Sequence, residues 1–150
     1  MPAFVPRSVN PTAPTLTVEP WPDPVVEAAG HDPRSAYAHE FWLPSLGPSV
    51  MAVTRKLIEH LESAGGPTTV DVIELAGSVG LGCAVGPGGL TRNSRIVATL
   101  GRMCQFGLAE AHACADGTTL FRVRTAWAPL TRRQAERLPA HLLARLDAAA

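Results

Sequence analysis

The chain has 150 residues, 46% of them apolar, and thirteen basic side chains against thirteen acidic ones, so its formal net charge is zero. That suits one compact domain with a real core, or a smaller domain with tails. No run approaches the ~18 apolar residues of a membrane span, and Cys83, Cys104 and Cys114 are too few and too loosely spaced for a disulfide framework; free thiols fit a reducing cytoplasm.

The neutral total hides an asymmetry. Residues 1–90 hold four Lys/Arg against nine Asp/Glu, and residues 91–150 hold nine against four. A basic C-terminal half points to a polyanionic partner. Drift in composition is the competing explanation, since twelve of the thirteen basic residues are Arg.

Eight of the fourteen prolines fall within residues 1–33, which predicts a mostly disordered, extended tail there. The segment also lacks the basic start and apolar core of a signal peptide. Order is expected from Ser35, as the cap of a short helix that Pro44 stops near Leu43, with Phe41, Trp42, Leu43 and Leu46 forming a dense apolar patch that should lock onto the core. Gly47 and Pro48 open a longer helix with Val50, Val53, Leu57, Ile58 and Leu61 at helical spacing, closed by Gly65-Gly66-Pro67. Thr68–Val70 favours a short strand. Asp71 and Glu74 then form a capping-box pattern for a second helix with Val72, Leu75, Ala76 and Val79 inward, ended by Gly80.

A glycine-rich loop, GLGCAVGPGGLT, leads to a third helix over 93–106. Leu108–Cys114 and Thr119–Thr125 read as two strands joined through Asp116-Gly117, a strong hairpin signal. A last amphipathic segment runs from Thr131, with Leu138, Leu142 and Leu146 on one side and a kink at Pro139.

The order helix, strand, helix, loop, helix, hairpin, helix resembles the winged helix-turn-helix superfamily. ELAGSVGL (74–81) is similar to that family's second helix, with Ala76 where two helices approach and Gly80 at the turn. Val97 and Leu100 match its buried recognition-helix positions, and Phe106-Gly107-Leu108 its junction into the wing. The likeness spans about 48–125. FWLPSLGPS (41–49) is similar to uncharacterised actinobacterial proteins of like layout. The resemblance implies a mainly α fold with a small β-hairpin (α+β), a winged helix-turn-helix with extra N- and C-terminal helices. The expected division is a proline-rich tail (1–33), the winged domain (34–128) and a helical extension (129–150). One departure stands out. A compact helix-turn-helix uses ~3–4 turn residues, whereas Gly80 to Asn93 is far longer. The segment is either a bulge that leaves the helix pair intact or a device that tilts the third helix, and the role of residues 82–89 is open.

In the third helix, Ile96, Val97, Leu100, Met103 and Cys104 make one apolar stripe. The opposite face carries Ser94, Arg95, Thr99 and Arg102, with Arg92 just before it. Such a helix fits a DNA major groove, where Arg pairs bidentately with guanine and the helix N-terminus favours phosphate. In LFRVR, alternation puts Arg122 and Arg124 on one face, either as wing contacts to DNA or as charges protecting an edge strand. The candidate DNA-binding residues are therefore Arg92, Ser94, Arg95, Thr99, Arg102, Arg122 and Arg124.

Other chemistry is not supported. The glycine loop lacks the Gly-Lys-Ser/Thr ending of a P-loop, and no CxxC or HxxxH spacing accompanies His112 and Cys114. No Ser or Cys sits in a nucleophile elbow, and no acid pair has a partner. The expectation is a cytoplasmic DNA-binding regulator without metal or cofactor and without enzymatic activity. The alternatives are a protein-binding adaptor using the Phe41–Trp42 patch or the proline-rich tail and, behind it, a replication or mobile-element initiator. A homodimer contact through Leu138, Leu142 and Leu146, or packing of that stripe on the domain, are both open.

Overall fold

The structure, a computed structural model, describes residues 3–4, 11–87 and 89–149. Pro2 and Pro6 of the expected tail and Gly88 of the glycine loop lie outside the described residues. In chain order the elements are β1 (Ala3–Phe4), β2 (Thr15–Pro20), α1 (Pro24–Ala29), a π-helical turn (Ala38–Trp42), α2 (Leu43–Leu46), α3 (Pro48–Ala64), β3 (Thr68–Asp71), α4 (Val72–Ser78), β4 (Val85–Gly86), β5 (Gly89–Leu90), α5 (Arg95–Gln105), β6 (Ala109–Ala113), β7 (Thr119–Val123), α6 (Arg132–Ala135) and α7 (Ala140–Ala149). The fold is mixed α/β. Its sheet has five strands in the order β1-β6-β7-β2-β3, more than the lone hairpin and short strand expected.

The two extra strands, β1 and β2, come from the segment expected to be disordered, and β2 corrects that reading within residues 11–33. In Thr15-Leu16-Thr17-Val18, β-branched residues alternate with the inward pair, a strand pattern that the surrounding prolines mask. Leu16 and Val18 are buried to 1% and 0% exposure. Strand β2 runs antiparallel to β3 (Leu16 opposite Val70) and parallel to β7 (Val18 opposite Phe121). The prolines stay out of its middle. Pro20 ends the strand, and the Trp21 N–H resumes the ladder by donating to the Val123 carbonyl at 2.8 Å.

The predicted helices form where capping and periodicity place them. Gly47 precedes α3, Pro48 takes its tolerated first position, and Gly65 closes it at φ +73°. Asp71 caps α4 by accepting from the Glu74 N–H at 2.9 Å. Ser35 accepts from the Ala38 N–H at 3.2 Å, as expected of a cap, but the helix does not stop at Leu43. It widens into the π-turn and continues as α2 through Pro44. The wider turn makes room for a proline ring that would clash with the preceding α-helical turn. Helices α3 and α5 cover one face of the sheet. Val50, Val53 and Leu57 from α3 and Ile96, Val97 and Leu100 from α5 are fully buried against Val18, Phe121 and Val123.

The boundaries expected at residues 33 and 128 are both bridged by hydrogen bonds. His31 and Trp127 exchange N–H···O bonds of 2.8 Å, the Leu130 N–H donates to the Tyr37 hydroxyl at 3.0 Å, and Arg145 pairs with Glu40 at 2.7 Å. Arg34 reaches Glu62 at the end of α3 through two bonds of 2.7 and 2.6 Å. Thr131 and Gln134 form a reciprocal capping box for α6. Pro139 separates α6 from α7, which packs on the π-turn. Leu138 is buried within the chain, while Leu142 and Leu146 are half-buried.

A chain beginning at Asp32 is therefore expected to lose its cooperative thermal transition, and Leu16→Ala in the full chain to cost about 2–5 kcal/mol. An unchanged Tm for the shortened chain would show that β2 is dispensable.

Candidate nucleic-acid interface

Helix α5 is built by its apolar stripe. Ile96, Val97, Leu100 and Met103 are fully buried and Cys104 nearly so. Its exposed row is Arg95, Ala98, Arg102 and Gln105. Thr99, expected on that row, is 5% exposed, and its hydroxyl donates to the Arg95 carbonyl at 2.8 Å. The buried face is simply wider than the stripe, and a Thr satisfies its own hydroxyl on the preceding turn. Thr99 thus lies on the buried side of α5 and not on its exposed row.

Ser94 is a second correction. It is the N-cap of α5 by position, but at 1% exposure its hydroxyl faces inward. Its Oγ accepts from the Ala84 N–H and donates to the Ala84 carbonyl, both at 2.7 Å, and it places no hydrogen bond on the first turn of α5. The glycine-rich segment is held by this bond pair. It forms a small hairpin of β4 and β5, with Val85 opposite Leu90, closed by the Thr91 N–H on the same Ala84 carbonyl at 2.9 Å. Leu90 is buried and anchors the hairpin, while Val85 is 61% exposed.

The wing arginines are also committed elsewhere. Alternation along β7 is as expected, with Phe121 and Val123 inward and Arg122 and Arg124 on the opposite face. That face meets β2 and the residues after it. Arg122 pairs with Glu19 through Nε and with Glu110 through Nη1, each at 3.0 Å. Arg124 stacks on the Trp21 ring at 3.4 Å and lies 3.9 Å from Asp23. Neither is a free wing cation. Apart from Glu110 on β6, their partners lie in the segment expected to be disordered, so β7 read alone could not reveal most of the neutralisation.

Arg102 is exposed but anchored. Its Nη2 donates to the Leu46 carbonyl at 2.9 Å, at the end of α2, and its guanidinium lies 5.8 Å from the Phe106 ring. Arg92 and Arg95 are exposed, and no ion pair engages either among the described residues. Their setting carries a signal that sequence reasoning passed over. Residues 75–109 contain Arg92, Arg95 and Arg102 and no Asp or Glu.

Two further expectations meet the geometry. Phe41 and Trp42 are each 6% exposed, so the proposed protein-docking patch is core. Trp42 packs edge-on against Trp127 at 5.7 Å and donates to the Ala128 carbonyl at 3.2 Å. His112 lies 2.9 Å from Glu110 through Nε2. Burial works against the Glu110 charge, but hydrogen bonds from His112 and Arg122 outweigh it and hold the carboxyl below its ordinary range. Burial, with the nearby Glu110 charge, pushes the Cys104 thiol up to about 11, which leaves it protonated and a poor nucleophile. Among the described residues no group of three His, Cys, Asp or Glu side chains is gathered as a metal would need, and no helix is long and apolar enough to cross a membrane.

No protein-family model, curated protein or solved structure matches the chain.

Two measurements test this local architecture. Ser94→Ala removes both bonds to Ala84 and should lower stability by about 1–2 kcal/mol, read as a shifted denaturation midpoint at unchanged slope. Glu110 is depressed below the ordinary glutamate value of 4.5. Its stabilising contribution is therefore present above that value and lost as pH falls through the lower folded-state pKa. Glu110→Gln should flatten the fall of Tm with acid below pH 4.5; an unaltered acid limb would separate the Glu110–His112–Arg122 network from acid stability.

Proposed function

We propose that the protein binds duplex DNA through the N-terminal part of α5 and acts as a transcriptional regulator with a winged-helix domain. The carrying observation is the pair of unpartnered, exposed arginines, Arg92 and Arg95, at the start of a helix within a carboxylate-free stretch. The succession α3, β3, α4, α5, β6, β7 supports the winged-helix reading, with the β4–β5 hairpin between α4 and α5 and β2 interposed between β3 and β7 in the sheet. A helix end adds its own preference for anions to that of the guanidinium groups.

The roles are narrower than the sequence suggested. Arg95, on the exposed row of α5, reads base edges, and Arg92, just ahead of the helix, contacts phosphate. Arg102 serves chiefly to hold α5 against the end of α2. Part of each surface named for the adaptor alternative is engaged within the chain. Phe41 and Trp42 are core, and residues 15–20 are a central strand.

Binding to a random duplex pool at two salt concentrations tests the reading. Arg95→Ala should cost about 1–3 kcal/mol and flatten sequence preference. Arg92→Ala should weaken all duplexes and shallow the salt slope by about one unit. Arg122→Ala should lower Tm and leave the slope unchanged. A wild-type chain that selects no sequence, with neither α5 variant altering binding, would overturn the proposal.

A further inference from the structure

The β4–β5 hairpin occupies the place where a compact helix-turn-helix has ~3–4 turn residues. It is not loosely attached. Ser94 fixes Ala84 through two bonds of 2.7 Å, and Leu90 is buried beneath it. The N-cap residue of the candidate reading helix is thus the hairpin's anchor, so hairpin and helix end are held as one piece. On this hairpin Val85 is 61% exposed. A lone exposed valine is ordinary on a protein surface. This one sits in the stretch 75–109, whose charged side chains are all arginines. A surface that combines cationic groups with an apolar tip suits a DNA groove, where phosphates flank the apolar methyl group of thymine.

Resting on the DNA-binding reading above, we propose that the β4–β5 hairpin is a second duplex-DNA contact element, in which Val85 packs against a thymine methyl group in the groove entered by α5. Arg92 and Arg95 bring the phosphate backbone to this end of the domain. The hairpin then adds sequence preference without adding charge, and the Ser94–Ala84 bonds set the spacing between the Arg95 and Val85 contacts.

An apolar contact releases no counterions, so its loss has a signature distinct from that of an arginine. Full-chain wild type and Val85→Ser are compared on the duplex that wild type selects from a random pool, across a range of salt. Val85→Ser should weaken binding about tenfold at every salt concentration, leaving the slope unchanged. Replacing thymine by deoxyuridine in the selected duplex should cost wild type a similar factor and Val85→Ser nothing more. Equal affinity of the two proteins, a changed slope, or insensitivity to the thymine methyl would overturn the hairpin contact. If wild type binds but only Arg92→Ala and Arg95→Ala weaken it, the hairpin proposal alone falls. If wild type binds no duplex, both readings fall. Because Val85 is exposed, an unchanged Tm is expected for Val85→Ser, and a lowered one with weaker binding would assign the loss to folding and overturn the proposal.

Discussion

The pairing of β2 with both β3 and β7 is the contact on which the rest of the molecule depends. Without it β3 has no neighbour in the five-stranded sheet, because the order runs β7-β2-β3. Val18, fully buried between the helical layer and the sheet, joins Val70, Phe121 and Val123 in one apolar surface for α3 and α5. The strand is short, and its prolines weaken it locally, yet it is central on two ladders. Parallel pairing to β7 brings residues from the two ends of the chain side by side, which explains why the bonds near His31–Trp127 and Tyr37–Leu130 follow. Such non-local pairing costs loop-closure entropy, which the burial of Leu16 and Val18 offsets.

The same strand settles the fate of the charges. A neutral chain with a basic second half invites the inference of one broad basic surface. Glu19 stands opposite Arg122 in register, and Trp21 and Asp23 follow it onto Arg124. The acidic first half is thus partly spent on the basic second half within one molecule. These half-buried pairs are screened less than exposed ones, and breaking them would leave charge poorly compensated. The polar face of β7 is held within the molecule for this reason, whereas Arg92 and Arg95 stay exposed and outside any ion pair among the described residues.

Much of the helical layer was legible in the sequence. The stripe of α3, the Asp71 cap, the Gly65 stop and the inward positions of α5 follow from periodicity and capping, which are local rules. The hairpin turn at Asp116-Gly117 was legible for the same reason, with Gly117 at φ +86°. The misreadings share a different origin. Proline density outweighed the four-residue alternation of Thr15–Val18, although prolines at the flanks of a strand do not forbid it. Phe41 and Trp42 lock onto the core as their apolar density implied, and Trp127 and Ala128, which cover Trp42, lie far along the chain. Thr99 and Ser94 were judged by polarity, yet each hides its hydroxyl in a hydrogen bond to a backbone group. The arginines of β7 could not be assigned without the strand beside them.

Ser94 shows how local chemistry shapes the candidate interface. An N-cap serine ordinarily turns its hydroxyl onto the first turn of its own helix. Here the hydroxyl bonds Ala84 instead, so the helix forgoes that cap and gains a fixed hairpin at its N-terminal end. The exchange is close to neutral in hydrogen-bond count but not in placement. A capped helix end would have its N–H groups partly satisfied by its own side chain, whereas this one retains them beside two exposed arginines. Positive potential from the helix dipole and from Arg92 and Arg95 then falls on the same spot, with no carboxylate in the surrounding sequence to cancel it. The β4–β5 hairpin in the connection between α4 and α5 is thereby fixed beside the exposed arginines at the start of α5.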